Sequence, residues 1–229
     1  MAITRLDSDE RRKAIVRAAV PLFARKGFAG TTTRELAEAA GISEALLFRH
    51  FPSKQLLYRE ILRLGCEGDP ALEKLATLQP STATLVCMVS FMVRRFLLGD
   101  ETDRAELDSR MRLVLHSFLE DGDYARELFA TVGGAVIPLF EASMAAAIAA
   151  GDVMPSGDSP ANRFWFAHHV AAMMALAALP GPSCMPYSGT LDDIVEAAIT
   201  FILRGLGMTD AAIAAEDLTR GHALQSAAD

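Results

Sequence analysis

The 229-residue chain is 51% hydrophobic and 22% charged, with sixteen Gly and ten Pro, which excludes disordered and collagen-like chains. Only 7% is aromatic, so Ala, Leu, Val and Met carry the apolar weight, a balance that favours helix over sheet. The net charge of −7 is segregated: Met1 to Arg63 hold twelve Lys/Arg against seven Asp/Glu (+5), while the rest holds ten against 22 (−12). A basic head is drawn to phosphate, and an acidic body is kept away from a polyanion.

In chain order, Asp7 and Glu10 form a capping-box start. Ile15, Ala18, Ala19, Leu22 and Phe23 then recur at helical spacing until Gly27 stops the helix. Thr32 and Glu35 open a second, short helix that turns Leu36, Ala37 and Ala40 inward. Gly41 breaks it, Ile42 plugs the turn, and Ser43 caps a third helix reaching His50. After Pro52, Ser53 caps a fourth helix carrying Leu56, Leu57, Ile61 and Leu62.

The body reads as longer helices. Residues 81–98 place Leu85, Met88, Val89, Met92 and Phe96 on one stripe, and 103–119 do so with Leu107, Met111, Val114, Leu115 and Phe118. Residues 123–150 contain Pro138, whose ring would strike the carbonyl of Gly134, so a kink or break is expected near Gly133. Ser159-Pro160 starts a helix to Ala178, Thr190 with Asp193 opens one through Leu206, and the Ala-rich tail from Met208 holds at most a weak helix. The fold class is therefore all-α, with a head at 1–63 and a larger helical body at 64–229. No run reaches the ~18 apolar residues of a membrane span, and the charged N-terminus has no apolar signal core. Cys66, Cys87 and Cys184 lie in no ligand spacing and read as reduced, buried thiols of a cytoplasmic protein.

Thr32 to His50 has the grammar of a helix-turn-helix: a short helix, a glycine turn, an apolar plug and a second short helix. The second helix would expose Glu44, Ala45, Phe48 and Arg49 while Leu47 and Phe51 face inward. A recognition helix needs that division, because its N-terminal side chains must reach base edges in the major groove.

These residues resemble a known family. The motifs are Ala14-Ile15, Leu22 to Phe28, Thr31-Thr32-Thr33, Leu36-Ala37, Ala40 to Ser43, and Phe48 to Lys54. Over about Arg12 to Leu62 they are similar to the DNA-binding head of the tetracycline-repressor (TetR) family of transcriptional regulators. The resemblance implies that Thr32 or Thr33 contacts a phosphate, that Glu44 and Ala45 read bases, and that His50 and Lys54 contact phosphates. Phe48 departs from the Tyr usual there, which removes a hydroxyl and leaves a face suited to a thymine methyl. The resemblance also implies a homodimer on a palindromic double-stranded DNA operator and a small hydrophobic effector bound in the body.

Candidate effector-binding residues are Met88, Met92, Met111, Arg112, Leu115, His116, Phe140, Met144, Trp165 and His169. Methionine lines adaptable surfaces, and Arg112 or His116 could hold an acidic end. Apolar excess over 160–178 and 191–206, including Trp165, Phe166, Met173, Met174, Ile194, Ile199, Phe201 and Ile202, marks the expected dimer interface. His168 and His169 diverge on a helix, and no metal motif, phosphate loop or nucleophile elbow is present. No enzyme activity, metal, cofactor or membrane partner is expected. A helical carrier of small molecules, without sequence-specific DNA binding, is the alternative reading.

Overall fold

The computed structural model describes residues 8–66, 70–98, 101–179, 181, 183–216 and 218. In order the helices are α1 (Ser8–Lys26), α2 (Thr33–Ala39), α3 (Glu44–His50), α4 (Lys54–Cys66), α5 (Pro70–Ala76) and α6 (Thr82–Leu97). There follow α7 (Glu101–Leu119), α8 (Asp123–Ala150), α9 (Pro160–Ala178), α10 (Leu191–Gly205) and α11 (Asp210–Ala215). The architecture is all-α, and the described residues contain no strand beyond one isolated bridge, Val153 with Met208. Asp7, the side chain of Leu62 and the tail beyond 218 lie outside the described residues.

Two compact units emerge: residues 1–68 with 105–131, and 69–104 with 132–229. The unit with the head thus also takes in Ala105–Thr131, beyond the expected boundary at residue 63. The reason is apolar: Leu113 and Tyr124 belong to the same buried cluster as Ile15, Phe23, Leu36, Leu47, Phe51 and Leu57. Tyr58 links these parts, with its ring 5.0 Å from Phe23 and 5.1 Å from Tyr124.

Helix punctuation follows the sequence closely. Gly27 and Gly41 take φ of +69° and +65°, a region costly for any residue with a Cβ. At Gly41 this lets the N–H of Ile42 reach back to the Ala37 carbonyl at 3.0 Å, closing the end of α2. Pro21 is carried inside α1 without ending it.

Five local expectations are corrected. Leu56 is exposed because Leu57 and Ile61 already form the buried edge of α4. On α7 the buried positions are Met111, Leu113 and Ser117, so Phe118 is turned outward, where it stacks on Phe129 at 6.1 Å. α8 runs from Asp123 to Ala150 without the break expected near Gly133, and Gly133, Val136, Phe140, Met144 and Ala147 keep one continuous buried edge. Ser159 makes no side-chain cap; Pro160 at the first turn has already removed one donor that needed satisfying. Of the thiols, Cys87 is buried but Cys184 is exposed.

In the second unit α6 is the central helix, buried on nearly every side and packed against α9 and α10. Its Ser81 cap receives the Thr84 N–H at 3.0 Å. α8 is long and apolar enough to cross a membrane by length and composition, yet its large side chains Phe140 and Met144 are spent in the core. Arg163, on α9, is buried and donates Nη1 to the Leu206 carbonyl at 2.9 Å, tying α9 to the end of α10.

Candidate nucleic-acid interface

The interface is built from α2, the Gly41 turn and α3. Thr32 caps α2 reciprocally: its hydroxyl oxygen accepts from Glu35 N–H at 3.3 Å, and Glu35 Oε2 accepts from Thr32 N–H at 2.9 Å. Lys26 also donates to Glu35. That ion-paired hydrogen bond, with help from Thr32, holds the Glu35 carboxyl down to about 2. Ser43 caps α3 by accepting from Leu46 N–H at 3.2 Å. Each short helix therefore begins on a side chain that satisfies an otherwise unpaired amide.

On α3, Leu47 is buried while Glu44, Ala45, Phe48 and Arg49 are exposed. Buried Phe51 follows at its C-cap and lies under the Arg12 guanidinium, 4.2 Å from the ring centre. Arg12 also donates to the His50 carbonyl at 2.7 Å and to Glu60 at 3.1 Å, so α1 fixes the C-terminal end of α3. Thr33, at the first turn of α2, donates its hydroxyl to Glu44 Oε2 at 2.9 Å. Thr32, Thr33, Ser43, Glu44, Ala45, Phe48, Arg49 and His50 thus all lie on these two helices and their caps.

Lys54 is placed differently from the rest. Its ammonium donates to the carbonyls of Phe28 at 2.7 Å and Thr31 at 2.8 Å and sits 4.2 Å from the centre of the Phe28 ring. Burial lowers its pKa. Two of its three donors hold the loop between α1 and α2, a role that sequence reading missed because carbonyl acceptors leave no trace in a motif.

The candidate effector residues divide between the units. Met111, Arg112, Leu115 and His116 belong to the first, where Met111 is buried, Arg112 exposed, and Leu115 and His116 half-buried. Met88, Phe140 and Met144 are buried in the second, Met92 and Trp165 half-buried, and His169 exposed. A ring chain joins Phe140 to Phe164 (5.4 Å), Phe164 to Trp165 (5.1 Å) and Trp165 to His168 (5.5 Å). Burial, with a smaller push from His169, lowers His168 to about 4. Sequence reading passed over Arg94, which is buried on α6; its signal was an arginine with apolar residues on both sides of its helix. The first unit also contains a cleft of about 450 Å³ lined by Phe28, Tyr58, Glu120 and Tyr124 among others.

Two short capped helices joined at a left-handed glycine, the second exposing a mixed polar face, define a helix-turn-helix DNA-binding regulator. Residues 15–61 match the family model for bacterial regulatory proteins of the tetR family, so the head is similar to that family's N-terminal domain. The transcriptional repressor KstR2 of Rhodococcus jostii (strain RHA1) is 28% identical over 142 residues, covering 52% of this chain and 70% of that protein. RutR of Escherichia coli (strain K12) is 45% identical over 53 residues, which cover 23% of this chain and 25% of its own length. Among solved structures, NalD, the secondary repressor of the MexAB-OprM multidrug efflux pump in Pseudomonas aeruginosa, is similar at a TM-score of 0.61 and 25% identity. That similarity covers 89% of this chain and all of the NalD chain. AibR in complex with isovaleryl coenzyme A and operator DNA has a TM-score of 0.63 at 17% identity, over 87% of this chain and all of that one, a likeness of fold alone.

Proposed function

We propose that this protein is a ligand-responsive transcriptional regulator, a repressor that binds a palindromic operator as a homodimer in the cytoplasm and leaves it when a small apolar effector occupies the body. The exposed face of α3, with Glu44, Ala45, Phe48 and Arg49 beside the cap residues Thr32, Thr33 and Ser43, carries this reading. Glu44 and Ala45 would read bases, with the carboxylate able to accept from cytosine N4. Thr32, Thr33, His50 and the remaining donor of Lys54 would meet phosphates.

Dimerisation is supported by an exposed apolar face on adjacent helices. Phe166 and Met173, seven residues apart on α9, are 65% and 54% exposed, and Phe201 on α10 is 66% exposed. Ile199 and Ile202 are already used in the core, so the outward residues form a second apolar face on the helix pair. Two such pairs make a four-helix interface. The dimer would present its two recognition helices to half-sites roughly 34–36 Å apart. An effector that binds better to the body conformation with the wrong spacing would release the DNA.

Selection of bound sequences from a random duplex pool tests this reading. A two-fold symmetric consensus and steep salt dependence are expected; binding without a consensus would favour the carrier reading.

A further inference from the structure

The second unit contains two buried arginines that are treated in opposite ways. Arg163 donates to the Leu206 carbonyl and to the Ser156 hydroxyl and faces Asp158 at 3.8 Å. Arg94, on α6, is only 6% exposed, and its Nε has no hydrogen-bond partner. No Asp or Glu is buried among the described residues, so nothing within the core offsets its charge. Its position in the last turn of α6 lets the helix's carbonyl end relieve part of that charge. A guanidinium cannot escape by losing its proton, and a buried charge without a counter-ion is costly.

Other polar groups share this condition. Ser90 stands one turn before Arg94 on the same face of α6, fully buried, with a hydroxyl that has no partner. Ser143 on α8 is likewise fully buried with an unpartnered hydroxyl, one turn beyond Phe140. Phe96, two residues beyond Arg94, meets His168 at 5.3 Å, and the ring chain continues through Phe164 to Phe140. Arg94 and Ser90 thus each leave an unpartnered polar atom on one face of α6, in a unit that also holds this aromatic chain.

From this we infer that Arg94, assisted by the Ser90 hydroxyl one turn away on the same helix face, is the recognition point for a carboxylate, and that the effector is an apolar molecule ending in one. The inference rests on the proposed reading of this unit as an effector-binding body and names the chemistry of its ligand. One guanidinium balances one negative charge, which selects a carboxylate over a phosphate dianion. His168 adds no second charge near neutral pH, since burial holds it at about 4. Bidentate pairing with a guanidinium would orient the ligand, and the apolar walls would take its chain.

Trp165 is the sole tryptophan and lies in the ring chain, so its fluorescence reports occupancy of this unit. Full-length protein is titrated with decanoate, decan-1-ol and decyl phosphate. Decanoate should bind roughly tenfold or more tighter than decan-1-ol, as expected for a hydrogen-bonded charge pair, and tighter than decyl phosphate. In Arg94→Met that preference should fall to about one. The unliganded variant should melt at a higher temperature than the wild type, because an uncompensated buried charge has been removed. Equal binding of the alcohol, preference for the phosphate, no saturable binding of decanoate, or a preference that survives in Arg94→Met would each overturn the inference. If Arg94→Met does not fold, the wild-type comparison of the three probes decides. No DNA is present in this titration, so failure to bind an operator would sink the regulator reading without touching this result.

Discussion

The Thr33 hydroxyl donates to Glu44 Oε2 at 2.9 Å, joining the first turn of α2 to the first turn of α3. The bond restrains the carboxylate at the N-terminal end of the recognition helix, the part that must meet base edges. It also gives the two residues a shared role, since freeing one changes the aim of the other. Thr33→Val should therefore alter base preference at the same one or two operator positions as Glu44→Ala. Sequence selection with each variant checks this; consensus changes at separate positions would show that the two act independently.

Lys54 separates fold from binding. Lys54→Ala leaves the Phe28 and Thr31 carbonyls without their donor and should destabilise the head by about 1–3 kcal/mol. Chemical denaturation followed by circular dichroism reads this loss. If its remaining donor also meets a phosphate, the slope of log affinity against log salt should fall by about 0.9. A stable variant with the full slope lost would assign the residue to DNA alone.

Gly27 and Gly41 share a left-handed backbone but not their surroundings. A Cβ at Gly41 meets nothing within 4 Å, whereas one at Gly27 would lie 2.8 Å from Glu120 Oε1 and 2.9 Å from His116 Nδ1. Gly41→Ala should cost about 1–2 kcal/mol from backbone strain alone. Gly27→Ala should cost more, because two side chains must also move. Urea midpoints of the two variants rank them, and equal losses would mean those side chains give way freely.

The His168 imidazole gives the second unit a pH dependence. Its folded value of about 4 lies below the ordinary 6.5, so the unfolded chain takes up the proton first. Stability is complete above 6.5 and is lost as pH falls toward 4. Between pH 7 and 5 the loss should be roughly 2 kcal/mol. His168→Phe should remove this component, so urea melts of both proteins at the two pH values isolate it.

Phe201→Glu, or Phe166→Glu, places a charge on the exposed apolar face without touching the buried Ile199 and Ile202. Light scattering at micromolar concentration should show a dimer for the wild type and a monomer for either variant. A wild-type monomer, or variants that remain dimeric, would move the interface elsewhere.

Helix starts and stops were legible in the sequence wherever they depend on residues a few positions apart. Thr32 with Glu35, Ser43, Thr190 with Asp193, and the glycines at 27 and 41 each act through local backbone geometry, and each appears where expected. The inward and outward sides of α3 were legible for the same reason, since a helix repeats its faces at a fixed interval. Long-range packing was decided elsewhere. Only tertiary structure turned Phe118 outward, carried α8 past Pro138 and gathered Leu113 and Tyr124 into the core of the head. Only tertiary structure could also show that Lys54 holds two backbone carbonyls, or that Arg163 donates to Leu206 and Ser156 while Arg94 is buried with an unpartnered nitrogen. The identity of a side chain records what it can bond to; which acceptors come within reach depends on where distant segments of the chain are packed.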